Sequence, residues 1–466
     1  MKRLFLSICA LGLVLSASAI KVYVNPGHGS WGSNCRPMAT INYPAGDTLG
    51  FFESNTNLWK AFMLETKLKA AGFDVKMSRR ASGGNGTNEY NKALTTICSE
   101  AENYGADYYI SIHSNAGPDG SDGSFANYPV ILYRGYTGEP KVTNSDKMAK
   151  KSIARLYDIF YTTPKNKNGG GGPELTTYYS PSNPRVVGDL SFYNTSSTYG
   201  YLGALKHNIP GFLSEGYFHT YQPARHKIMN PAVARIEGIG YAKGINDYFS
   251  LGKKDSYGMI YGILRHATET FSHTYYTPNT GTLDKYKPIN GATVKLKKDG
   301  QVVQTVVTDG FYNGAFVFDK VAPGNYTVEC SHPDYATSSF SVTVEANKIV
   351  YPTASISSEG MSFVPVQGAY AYGHTLSKSG DNYVFSYKAT ANAPKASIIL
   401  TNKATGAKTT HDAGKVSKGN NSVTISAANI GEGEYTWAVS IANEESTAAQ
   451  AYYNQGGTTD NNRRGG

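Results

Sequence analysis

At 466 residues the chain is longer than one hydrophobic core ordinarily spans, and length alone points to about three domains. Apolar residues make up 40% and charged residues 17%, a balance that fits a folded globular protein and excludes an intrinsically disordered chain. The net charge of +9 comes without a dense Lys/Arg cluster or stripe, so it suits attraction to anionic surfaces and gives no support to nucleic-acid binding.

Lys2 and Arg3 precede an apolar run from Leu4 to Leu15, and Ser16-Ala17-Ser18-Ala19 follows with small residues in an A-x-A arrangement. Residues 1–19 therefore read as a signal peptide cleaved after Ala19, with the mature protein exported to the periplasm or the exterior. The run is too short for a permanent membrane helix, and no other stretch is apolar enough to span a bilayer. Cys9 sits inside the run behind Ile8, which argues against a lipid-bearing cysteine. Cys35, Cys98 and Cys330 remain, too few for a disulfide scaffold and wrongly spaced for a Cys-type zinc site. Whether Cys35 and Cys98 pair stays open.

Residues 20–252 read as one α/β domain. Ile20 to Val24 is a short strand ending at Asn25-Pro26-Gly27. Ser54 or Asn55 is expected to cap the next helix, with Leu58, Ala61, Phe62 and Leu68 on its apolar face and Gly72 beyond its end. Strands follow at Phe73 to Met77, Tyr108 to Ile112, Pro129 to Tyr133 and Gly211 to Leu213. Helices are expected over 89–104, 145–160 and 231–249. Strands alternating with helices imply a mostly parallel sheet covered on both faces. Thr162 to Pro184, with its Gly169 to Gly172 run, is expected to be a mobile surface loop without the Lys-Ser/Thr ending of a phosphate cradle. Short alternating strands between Gly, Asn and Pro turns then make two all-β sandwich domains, over 256–356 and 360–453. The polar, Gly-rich tail 454–466 is expected to be disordered.

In doubly wound α/β folds, sites form outside the carboxyl ends of the strands. His28 follows the first strand, His113 the third, and Glu215 the Phe212-Leu213 strand, while Glu53 opens the first helix. Two imidazoles and one carboxylate can make a zinc site whose fourth position is left for water, and a second carboxylate can act as base. No H-E-x-x-H is present, so no short spacing fixes a metal site, and a lone His after a strand is more often a hydrogen-bonded structural residue than a ligand.

Four local motifs occur in order: Val24-Asn25-Pro26-Gly27-His28-Gly29, Glu53 with Asn57, Ser111-Ile112-His113-Ser114-Asn115-Ala116, and Pro210 to Phe218 around Leu213-Ser214-Glu215. Together they make residues 20–250 resemble the zinc-dependent N-acetylmuramoyl-L-alanine amidases, with their D-P-G-H-G, S-I-H-x-N and L-x-E-x-x-F signatures. The resemblance implies a Zn2+ ion held by His28, Glu53 and His113, with Glu215 as the catalytic glutamate and Asn115 as a residue that shapes the substrate site. It also implies peptidoglycan as the substrate and the amide between N-acetylmuramic acid and L-alanine as the bond cut. Glu215 would take the water proton and deliver it to the departing nitrogen. Two departures stand out: Asn25 replaces the family's Asp, and the Arg often found in the helix before the third strand is absent between Ala81 and Ala106. A catalytically inactive wall-binding protein and a zinc hydrolase of another peptidoglycan amide are the alternative readings. Oligomeric state is left undetermined.

In the C-terminal half, Pro288 to Val294, Thr308-Asp309-Gly310 and Pro323 to Val328 resemble the carboxypeptidase regulatory-type sandwiches. The last module is similar to immunoglobulin-like or fibronectin-like domains around Gly431 to Trp437. Tyr435 and Trp437 share one face of a strand, the usual place for core residues rather than a glycan-binding row. These two modules are expected to act mainly as spacers or anchors.

Overall fold

The computed structural model describes residues 19–117, 122–159, 179–180, 183–198, 200–252, 254–357, 371–389, 392–442 and 451–458. The signal-peptide assignment up to Ser18 and most of the expected 162–184 loop lie outside them. Among the described residues, no helix is long and apolar enough to cross a membrane.

The N-terminal domain is built on a six-stranded sheet. Its strands are β1 (Lys21–Pro26), β2 (Asp74–Met77), β3 (Tyr108–Asn115), β4 (Val130–Tyr133), β5 (Val186–Gly188) and β6 (Gly211–Phe218), in the order β2-β1-β3-β6-β4-β5. The first four in that order run parallel, and β4 is antiparallel to β6. Strands buried on both faces read as near-continuous apolar runs, as Val130 to Tyr133 does. On one face lie α1 (Glu53–Ala70), α3 (Ser145–Ile159) and α6 (Pro231–Tyr248), packed through Leu58, Ala61, Leu64, Leu68, Ile153, Leu156, Tyr241 and Ile245. On the other lie α2 (Leu94–Tyr104) and the segment from α4 (Asp189–Phe192) to Ile209, packed on Tyr23, Tyr109, Val130, Leu132 and Leu213.

Several local expectations are corrected. The N-cap of α1 is Phe52, without a side-chain hydrogen bond, so Ser54 and Asn55 sit inside the first turn. The helix expected from 89 begins at Leu94, because Asn88 Oδ1 accepts from the backbone N–H groups of Tyr90 and Asn91 and holds that stretch as a turn. Strands β3 and β6 continue past Ile112 and Leu213, so His113 and Glu215 lie within strands rather than beyond them. The described cysteines Cys35, Cys98 and Cys330 are all free and buried.

The next domain packs a sheet centred on Gly258–Thr270 against the four-stranded sheet Gln301–Val307, Thr293–Lys298, Gly324–His332 and Tyr335–Val344. It shares a core with the first domain: Tyr43, Trp59, Tyr217, Phe218, Tyr221 and Ile228 pack with Met259, Tyr261, Ile263 and Phe311. Buried within this contact, Asp284 meets Lys227 at 2.7 Å and Arg265 at 2.8 Å, and accepts from the Tyr221 hydroxyl at 3.0 Å. Tyr221 and Lys227 belong to α5 (Gln222–Ile228) and its cap, immediately after β6. This domain is therefore a brace on the strand that carries Glu215, which a loosely tethered spacer is not.

The last domain has a three-stranded sheet (Ala371–Ser379, Asn382–Ala389, Gly419–Ser426) and a four-stranded sheet containing Ala393–Asn402 and Tyr435–Ala442. Tyr435 and Trp437 are in its core, the Trp437 ring 5.1 Å from that of Phe385. The expectation of disorder from Asn454 is corrected: the edge strand Ala451–Thr458 includes its first five residues, where backbone pairing with Tyr435–Ala442 offsets a Gly-rich composition.

Candidate active site

Strand β1 ends at Asn25-Pro26, and after Gly27 the chain reverses at His28 with φ of 61°, the left-handed region that non-glycine residues seldom adopt. The turn carries His28 back over the end of the sheet. Gly27 is required there, because a Cβ would stand 2.1 Å from the His113 ring. His113 arrives on the neighbouring strand β3, and Glu53 from the first residue of α1, where the helix dipole favours a carboxylate.

The three side chains converge. His28 Nε2 lies 3.2 Å from Glu53 Oε2, and His113 Nδ1 lies 3.2 Å from Glu53 Oε1. One ligand atom from each falls within 4.8 Å of the other two. Glu53 Oε1 also accepts from the Ser114 N–H at 2.8 Å. Burial alone would raise the Glu53 carboxyl, but the His28 charge and the hydrogen bonds of both histidines hold it well below the usual carboxylate range. Burial would lower His28, yet Glu53 and a hydrogen bond to Cys35 push it up to about 10. For His113 burial prevails and the imidazole is lowered. A buried anion between two imidazoles attracts protons, and would equally hold a divalent cation in their place.

Glu215 is the direct cross-strand partner of His113. Leu213 packs on the α2 side and the Ser214 hydroxyl accepts from Tyr241 of α6, so alternation turns Glu215 to the same side as His113. Its Oε2 is buried with no hydrogen-bond partner among the described residues. Burial, reinforced by the charge of Glu53, raises this carboxyl well above its ordinary value. The two neighbouring carboxyls are thus pushed in opposite directions, Glu53 down and Glu215 up. Two imidazole nitrogens and a carboxylate suit zinc, and the unpaired Glu215 oxygen leaves an acceptor beside them. Asn115 ends β3, where its Oδ1 accepts from the Ala116 N–H.

Sequence reasoning missed the residues that hold this geometry. Arg79, buried just after β2, donates to Pro26 O, Gly27 O, Ser54 O, Ala81 O and Ser82 Oγ, tying the His28 turn to the start of α1. Nothing in a Ser-Arg-Arg run distinguishes a buried arginine from its exposed neighbour Arg80. Lys60, fully buried in α1, pairs with Glu237 of α6 at 3.0 Å and donates to His113 O. Asn25 of β1 donates to Ser111 of β3 and accepts from Ser78 just after β2, so the amide ties three neighbouring strands together.

The family described as N-acetylmuramoyl-L-alanine amidase matches residues 22–247, and that described as carboxypeptidase regulatory-like domain matches residues 282–355. No curated protein matches the chain. Among solved structures, it is similar to Cwp6 from Clostridium difficile, with 21% identity and a TM-score of 0.36 over 50% of this chain and 30% of that one. It is also similar to the N-acetylmuramoyl-L-alanine amidase from Clostridium difficile 630, with 21% identity and a TM-score of 0.33 over 50% of this chain and 98% of that one. A third is the N-acetylmuramoyl-L-alanine amidase AmiC2 of Nostoc punctiforme, at 16% identity and a TM-score of 0.33 over 50% of this chain and 97% of that one. On the family matches, residues 22–247 are an N-acetylmuramoyl-L-alanine amidase domain, followed at 282–355 by a carboxypeptidase regulatory-like domain.

Proposed function

We propose that the protein is exported and hydrolyses the amide between the lactyl group of N-acetylmuramic acid and L-alanine in peptidoglycan, with one Zn2+ ion held by His28, Glu53 and His113. The observation that carries this reading is the meeting of those three side chains beside Glu215, whose Oε2 has no hydrogen-bond partner among the described residues, inside an amidase domain. Zinc held by His28, Glu53 and His113 would supply Lewis acidity for the amide carbonyl and for water near neutral pH. Glu215, with its raised proton affinity, accepts the water proton and passes it to the alanine nitrogen as the C–N bond breaks. The amine leaves protonated, so one carboxyl serves both steps. Asn115 has its Oδ1 engaged by Ala116, which leaves its amide N–H groups as the donors it can give a substrate. The Ser114 N–H and the Arg79 braces keep Glu53 and the His28 turn in place through the cycle.

Digestion of purified peptidoglycan, with the new ends identified by mass spectrometry, tests this. Free L-alanine amines and lactyl carboxylates are expected. Cuts inside the stem peptide would assign a different amide, and intact wall that merely co-sediments with the protein would mark a binding protein.

A further inference from the structure

Tyr193 and Tyr201 stack with ring centroids 4.1 Å apart, yet remain 38% and 51% exposed. Stacked rings left open to water are unusual unless something covers them. The pair is not on a loose loop. Asp189, fully buried, accepts from Gly135 N at 2.9 Å, Tyr201 N at 2.7 Å and Leu202 N at 2.9 Å. Gly200 makes the close turn possible, with φ of 85° and a Cβ position 2.9 Å from Arg134 Cγ. On the other side, the Phe192 ring stands edge-on to Tyr193 at 5.0 Å and packs, with Leu202, on the cluster containing Val130 and Leu213. Val130 is the cross-strand partner of Glu215. The two tyrosines therefore stand over the sheet face to which Glu215 points, and the Glu215 charge adds to the burial that raises the Tyr193 hydroxyl. Leu94 of α2, 47% exposed, lies against Gly203 and continues the apolar surface.

We propose that Tyr193 and Tyr201 form a shelf on which a pyranose ring of the glycan strand stacks, placing the adjoining amide at Glu215. This rests on the amide-hydrolysis reading above. The occupant follows from chemistry: a sugar offers a face of C–H groups to an aromatic ring, whereas the stem peptide carries carboxylates that call for cations. Because the shelf is already ordered by Asp189, little conformational freedom is lost when a sugar lands on it.

The test is calorimetric titration with soluble, uncrosslinked glycan strands bearing stems, and with the free stem peptide. All proteins carry Glu215→Gln so that the strands survive. Replacing both tyrosines by Ala is expected to weaken strand binding about tenfold and to leave stem binding unchanged, and replacing both by Phe is expected to restore it. The proposal is overturned if the Ala pair binds strands as the parent does, if the parent binds no strand, or if strand and stem affinities fall together. Failure of the amidase reading has a separate signature, namely that the protein with Glu215 intact frees no stem peptide from the same strands.

Discussion

Asp284→Asn is the sharpest probe of the contact between the two domains. The carboxylate is fully buried and faces two nearly buried cations, Lys227 at 2.7 Å and Arg265 at 2.8 Å. Burial lowers Lys227 to about 8, with Asp284 working against the shift, so without the carboxylate the lysine loses the charge that keeps it protonated. Removing one partner of such a buried cluster costs about 3–5 kcal/mol, since the remaining charges are left desolvated and unpaired. For a unit of this size each kcal/mol moves the melting temperature by roughly 2 °C, so a fall of about 6–10 °C is expected by scanning calorimetry. The amidase domain and the first sandwich should melt in one transition that moves as a whole, because their apolar residues form one cluster. Lys227→Met added to Asp284→Asn should recover part of the loss. A shift below about 2 °C, or two transitions of which only one moves, would show that the sandwich is merely tethered.

Glu215→Gln should lower amide hydrolysis by roughly 10²- to 10⁴-fold while leaving zinc content unchanged, as measured by turnover of purified wall and by elemental analysis. Arg79→Ala should weaken zinc binding by about 10- to 100-fold in a chelator competition, because the carbonyls of Pro26, Gly27 and Ser54 lose the donor that aligns two ligands. Asp309 is held by Phe311 N, Asn313 and Asn230 at the domain contact, and burial raises it from 3.8 to about 6. A raised folded-state value means its stabilising contribution is complete below pH 3.8 and is lost as pH rises through about 6. Relative to Asp309→Asn, the wild type should thus lose up to about 3 kcal/mol between pH 4 and 6, read from denaturant unfolding at each pH, and the difference should be flat above pH 7.

The candidate site residues could be picked out because they sit in short, ordered motifs at strand ends, and the fold places His28, Glu53 and His113 together with Glu215 on the neighbouring strand. Their exact setting was less so. Glu53 opens α1, but the cap expected at Ser54 or Asn55 is Phe52, and the Glu53 carboxylate turns to the histidines. Periodicity ended β3 and β6 early, since polar His113, Ser114 and Glu215 break the apolar run while the backbone pairing carries on. The supports were the least visible part. Arg79, Lys60 and Asp284 are charged residues that composition assigns to the surface, and only tertiary packing reveals that each is buried and fully engaged. For the same reason the first sandwich read as a spacer or anchor: its contact with the amidase domain is made by residues far apart in sequence, with no local pattern to announce it.

The central claim is the metal held by His28, Glu53 and His113. Crystals grown with equimolar zinc, measured on both sides of the zinc absorption edge, test it directly. The expected result is a single anomalous peak bonded to those three side chains and facing Glu215. No peak there, or a zinc ion elsewhere with Glu53 turned away from both histidines, would contradict it.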